Sequence, residues 1–150
     1  VNTATRAYFK DAMAGKESIS DVVISKATGR FISVIAVPVL NAQKQPIGMV
    51  QRDYDLGVLA DFVKSAADEH TMVFIIDRQG KLLAHSMKAV EKEEDRADAN
   101  GFTFVKDGLA GKSGTTEATL FDGNDYYVNY AQNAATGWVI GTATLMQTLP

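Results

Sequence analysis

The segment Arg6-Ala7-Tyr8-Phe9-Lys10-Asp11 puts a guanidinium, two aromatic rings and a second cation where a helix is predicted to begin. Some forty residues on, Gly48-Met49-Val50-Gln51-Arg52-Asp53-Tyr54-Asp55-Leu56 carries a carboxylate, Asp53, toward the end of a predicted strand. A guanidinium fork matches a carboxylate bidentately, and a desolvated ammonium needs an acid beside it. A guanidinium such as Arg6, an acid such as Asp53 and aromatic walls such as Tyr8 and Phe9 are what a pocket needs to hold a small zwitterion or carboxylate without reacting with it. Lys10 offers a second cation, which would suit a plain organic acid. Each residue also has a plainer reading. Arg6 could be a surface residue of a first helical turn, although a cation there opposes the helix dipole and invites a partner anion. Asp53 could pair with Arg30 or Arg52, and Tyr8, Phe9 and Phe31 could be core.

Little else in the chain points to chemistry. There is no Cys, which excludes disulfides and thiolate metal sites. No nucleophile elbow, phosphate loop or His-Glu-x-x-His is present, and neither His70 nor His85 lies in a motif that would poise it as a base. Catalysis is not expected, and neither is a cofactor or a metal. The acidic run Glu91 to Asp98 lacks the EF-hand pattern and reads as a solvated face, and Asp122-Gly123-Asn124-Asp125 reads as a hairpin turn.

With 46% hydrophobic and 22% charged residues, the 150-residue chain has the balance of an ordinary globular protein of one domain or two small ones. A net charge of −3 gives no basic footprint for nucleic acid. No apolar run approaches the ~20 residues that span a bilayer. The chain opens on Val without a leader, so it reads as a piece of something longer.

The elements that must position the candidate pocket follow from periodicity and punctuation. Thr5 is the expected cap of a helix over Arg6–Ala14, stopped by Gly15. Asp21–Ser25, Phe31–Leu40 and Ile47–Tyr54 read as three antiparallel strands, with Pro38 marking an edge or bulge. Asp55 is placed to cap a helix over Leu56–Glu69. A second unit follows: strands Met72–Ile76 and Lys81–His85, a charged stretch, a short helix at Phe104–Leu109, and strands Thr115–Phe121, Tyr126–Ala131 and Trp138–Leu145. Two strands, a helical insertion and three antiparallel strands is the plan of a PAS-like α+β module. The first unit shows only the second half of that plan, without an N-terminal helix and opening strands.

Taken in order, these pieces resemble the double Cache sensors, extracytoplasmic domains of bacterial chemoreceptors, sensor kinases and related receptors. The likeness rests on the Arg-x-aromatic-aromatic segment, Ser20-Asp21, Thr28-Gly29, Ala36-Val37-Pro38-Val39 and Asp53 to Leu56 in the first unit. In the second unit it rests on Phe74 to Ser86, Asp122-Gly123 with Tyr126-Tyr127, and Thr136-Gly137-Trp138. The resemblance implies tandem PAS-like modules: residues 1–69 as the second half of a membrane-distal module with its connecting helix, and 70–150 as the membrane-proximal module. It implies that Arg6 grips a ligand carboxylate and Asp53 an ammonium. Where the family usually has Trp this chain has Tyr8. In the segment Asp21–Ser25, where the family usually has tyrosine, this chain offers Val22 or Val23, with Asp21 of the same segment and Val23 counted among the ligand-binding residues. The motif's upstream tyrosine would fall at or before Val1. The implied protein is a membrane-anchored, homodimeric bacterial receptor, foremost a methyl-accepting chemotaxis protein, that senses a small amino acid or carboxylate outside the cytoplasm. Its second membrane helix would begin shortly after Pro150, and a companion fragment could supply the opening strands. A histidine kinase or diguanylate cyclase sensor is the alternative, and a structural or protein-binding module the competing class.

Overall fold

The computed structural model describes residues 3–146, so Val1 and Pro150, on which two of the expectations above fall, lie outside it. The chain divides into two compact units, Val1–Gly57 and Val58–Pro150. Each is an antiparallel sheet with helical cover, so the protein is α+β.

In the first unit, helix α1 (Ala7–Met13) precedes strands β1 (Ser18–Ile19), β2 (Val23–Ile24), β3 (Phe31–Leu40) and β4 (Pro46–Asp55). Strands β1 and β2 lie end to end along one side of β3, and β4 pairs along the other. Ser20 makes the break between them: its N–H donates to Val34 O at 2.8 Å and its Oγ accepts from Val34 N–H at 2.9 Å. A hydroxyl thus stands in for a ladder carbonyl, and the chain kinks without orphaning the β3 amide. The register shift expected near Pro38 falls between Val39 and Leu40.

Side chains alternate across a strand, so Ile32, Val34 and Ala36 face one way. They form a small core with Tyr8 of α1, and Phe9, Val23 and Met49 pack against it. Helix α1 begins one residue later than expected. Its N-cap is Arg6, in extended conformation, and no side chain caps it, so Thr5 does not serve as the cap. The Arg6 N–H is instead taken by Thr3 O at 2.9 Å, in a turn that leads into the helix.

In the second unit, α2 (Val58–Ala66) is followed by β5 (Thr71–Ile76), β6 (Leu82–His85), a 3₁₀ turn at Glu93–Asp95, α3 (Thr103–Leu109), β7 (Gly114–Thr119), β8 (Asp125–Gln132) and β9 (Val139–Leu145). The sheet order is β6-β5-β9-β8-β7. Strand β5 is apolar from Met72 to Ile76 because both of its faces are covered. Phe74 and Ile76 enter a core with Leu82, Phe104, Val105, Val128 and Val139, while α2, with Val63 fully buried, packs on β5 and β6.

The charged stretch between β6 and α3 is not wholly solvated. Arg96 is buried and ion-paired with buried Asp77, and its Nε donates to Leu82 O at 3.3 Å. The same stretch runs along the outer edge of β6, with Leu82 N–H on Ala97 O and Ala99 N–H on Gly80 O. A buried charge tolerates this only with a partner, which Asp77 supplies.

Candidate ligand-binding site

The face of the first unit that carries α1 also holds a cavity of about 350 Å³. It lies within the size range of small-molecule sites. Arg6 reaches it from the N-cap of α1, where the chain has not yet turned helical. Tyr8, only 7% exposed, forms part of its wall. Val23 enters from β2, and Asp53 from β4 opposite Val34 of β3. Residues two apart on a strand share a face, so Gln51 stands beside Asp53. Its Nε2 donates to Asp53 Oδ1 at 3.0 Å.

Four of the seven residues proposed from sequence therefore open on one cavity: Arg6, Tyr8, Val23 and Asp53. The other three lie elsewhere. Phe9 packs half-buried against the core of the unit, and Lys10 and Asp21 are exposed and outside the lining. One turn of helix separates Lys10 from Arg6, but the cavity opens at the N-cap and not along the helix. The second cation at the cavity is Lys26, in the turn after β2, accompanied by Ser25 and Ala27. That turn folds over itself: Ser25 Oγ accepts from Ala27 and Thr28 N–H at 3.3 Å each, and Ser25 N–H donates to Arg30 O at 2.9 Å. Gln51 and Thr3 complete the polar lining. The period-two pattern already placed Gln51 on the Asp53 face. For Lys26 no signal existed, since its position depends on how the turn closes.

The charges near the cavity sort themselves. Arg30 Nη1 donates to Asp55 Oδ2 at 2.7 Å, and Gly57 N–H donates to Asp55 Oδ1 at 2.8 Å. These contacts hold the Asp55 carboxyl below its ordinary range, the Arg30 hydrogen bond first and the Gly57 amide second. Asp55 thus ties the end of β4 to the turn before α2. Arg52 lies over the Tyr54 ring at 4.9 Å. Neither Arg30 nor Arg52 is ion-paired with Asp53 among the described residues, and Arg6 makes no side-chain hydrogen bond or salt bridge there. The cavity offers a guanidinium, an ammonium and a carboxylate, with apolar walls. Among the described residues no cluster of three or more His, Asp or Glu is positioned to share a metal.

Comparison with known proteins agrees with this fold. No curated protein sequence matches the chain. Among solved structures, the ligand-binding domain of Mlp24 with asparagine is similar at 25% identity and a TM-score of 0.69, covering 98% of this chain and 58% of that one. The ligand-binding domain of the Pseudomonas fluorescens chemoreceptor CtaA with L-serine is similar at 22% identity and 0.67, covering 99% and 63%. The periplasmic sensory domain of the Campylobacter jejuni chemoreceptor Tlp1 is similar in fold at 13% identity and 0.75, covering 97% and 56%. The chain thus spans less than two thirds of the length of each. A family model described as Cache domain (dCache_1) matches residues 2–149, almost the whole chain, and the protein belongs to the Cache domain family of sensor modules.

Proposed function

We propose that the first unit binds a small amino acid. Arg6 takes its α-carboxylate, Asp53 with Gln51 takes its ammonium, and Tyr8 with Val23 walls its side chain. One observation carries this reading: Arg6 and Asp53, from the helix N-cap and the far strand, open on the same cavity while the nearby cation Arg30 is engaged by Asp55. The similar domains solved with asparagine and L-serine support it. In this reading residues 1–69 are the second half of a membrane-distal module with α2 as connector, and 70–150 are the membrane-proximal module. The chain is then the extracytoplasmic sensing region of a bacterial transmembrane receptor that is most simply a homodimeric chemotaxis receptor. Ligand shifts the receptor only by its difference in affinity between two conformations.

A plain carboxylate is the second reading, favoured by Lys26, which gives the cavity two cations against one acid. Calorimetric titration with a panel of amino acids and organic acids, repeated on Arg6→Ala and Asp53→Ala, separates the two. An amino acid whose binding is lost in both variants supports the first. An organic acid lost only with Arg6→Ala supports the second. No binding by any compound to the folded protein returns the domain to a structural or protein-binding role.

A further inference from the structure

The second unit holds a cavity of its own, about 400 Å³, which the reading above does not use. Its walls are Met72 of β5, Leu120, and Ala143 and Leu145 of β9, all buried or half-buried. Two donors stand at it without acceptors. The His85 ring stacks on Phe74, with centroids 6.4 Å apart, and its Nδ1 accepts from Met87 N–H at 3.0 Å. A neutral imidazole whose Nδ1 accepts carries its proton on Nε2. That Nε2–H has no protein acceptor among the described residues. Lys88 is exposed, with Nζ 5.4 Å from the Phe121 ring centroid, and has no ion pair there.

The acids of the same cavity are already occupied. Asp122 accepts from Tyr126 Oη at 2.5 Å, from Asn124 N–H at 3.0 Å and from Asn124 Nδ2 at 3.1 Å. Asp68 Oδ1 accepts from the His70 and Thr71 amides at 2.8 Å each, and Glu69 lies 3.3 Å from His70 Nε2. The unfilled hydrogen-bonding capacity is therefore for an acceptor above an apolar floor, with Lys88 as the cation beside it. Burial, and next the charge of Lys88, keep His85 less basic than usual, in keeping with the neutral tautomer.

We propose that this cavity is a second small-molecule site, separate from that of the first unit, for a monocarboxylate with an apolar tail. The carboxylate accepts from His85 Nε2–H and meets Lys88, and the tail lies on Met72, Leu120 and Ala143. The test is titration of the isotope-labelled chain with sodium hexanoate, followed by amide chemical shifts, with hexanamide and hexylammonium as comparisons. Saturable shifts at Met72, Leu120 and Ala143 are expected, unchanged in Arg6→Ala and Asp53→Ala. His85→Phe keeps a ring on Phe74 but removes the N–H, and weakens binding about tenfold or more, the value of a hydrogen bond to a charged group. Lys88→Met, at an exposed position, weakens it several-fold. Absence of saturable shifts up to about 10 mM, roughly tenfold above a Kd of about 1 mM, overturns the proposal. So does tighter binding of hexylammonium than of hexanoate, or unchanged affinity in Lys88→Met. Failure of the amino-acid reading for the first unit leaves each of these outcomes readable, because they are scored on different residues.

Discussion

Arg30 is bonded to Asp55 and not to Asp53, although the two acids lie two residues apart on β4 and share a face. The turn after β2 ends at Arg30, level with the end of β4, so its guanidinium meets the last acid of the strand. Asp53 is left to the cavity, where Gln51 is its side-chain hydrogen-bond partner among the described residues. The local structural demand is satisfied by Asp55, so Asp53 is not needed to hold the hairpin.

This division predicts a contrast between neighbours. Asp53→Asn leaves thermal stability within about 0.5 kcal/mol, as an exposed substitution does, but removes amino-acid binding. Arg30→Ala leaves ligand affinity within about threefold and costs little stability, since exposed ion pairs contribute about 0–1 kcal/mol. Calorimetry and thermal melts on the two variants decide it. Equal loss of binding in both would mean that Arg30 or Asp55 reaches the ligand.

Strand positions and the face of Asp53 were legible in the sequence because period-two alternation and turn residues are local. The β3 boundaries coincide with those read from Phe31 to Leu40. What was not legible depends on tertiary closure. Ser18–Ile19 pairs as a separate strand only because the Ser20 hydroxyl replaces a carbonyl of the ladder. Lys26, rather than Lys10, joins the cavity because the turn after β2 folds toward it. Arg96 sat in a run of charges that composition alone makes solvent-facing, and its burial follows from Asp77, nineteen positions away.

Acid should unfold the protein in two stages of known sign. His85 is held below its ordinary 6.5, by burial first and Lys88 second, with Asp122 opposing. The unfolded chain then takes that proton first, so this contribution is complete above pH 6.5 and is lost as pH falls through the lowered value. Asp55, Asp68, Asp95, Asp98 and Asp122 are all held below 3.8, and Glu93 below 4.5, by hydrogen bonds from side chains and backbone amides. Their contribution is present above those ordinary values and is lost as pH falls below them. Melting temperature followed from pH 8 to about pH 3 should fall gently below 6.5 and steeply below 4.5. In His85→Phe the upper slope disappears and the lower one remains. A slope of opposite sign between pH 8 and 6 would contradict the assignment.

Gly141 of β9 lies opposite Phe74 of β5, and a Cβ at that position would overlap Phe74 Cζ and Cε2. The ring cannot easily retreat. It is 3% exposed, edge-on to Phe104 at 6.1 Å, and stacked with His85. Gly141→Ala is expected to cost about 1–3 kcal/mol, as overpacking in a filled core does. Phe74→Leu in the same chain should recover part of the cost, giving a favourable coupling in a double-mutant cycle by urea denaturation. Additive effects would show that the strand, and not the ring, moves.

The buried pair of Arg96 and Asp77 should be asymmetric in what its halves cost. Asp77 also accepts from the Gln79 N–H at 2.9 Å and the Lys81 N–H at 3.0 Å, which shapes the turn between β5 and β6. Arg96→Met leaves that carboxylate charged and buried, and breaking such a pair costs about 3–5 kcal/mol. Asp77→Asn keeps an oxygen for the two amides, and Arg96 retains Leu82 O and Glu93 Oε2 at 3.4 Å, so its cost is smaller. The double variant Arg96→Met with Asp77→Asn removes both charges while preserving the turn, and should be more stable than Arg96→Met alone. Urea denaturation of the three variants measures the order. If Asp77→Asn proves the costliest, the carboxylate's hold on the turn outweighs the ion pair, and the insertion is anchored from the β5–β6 side.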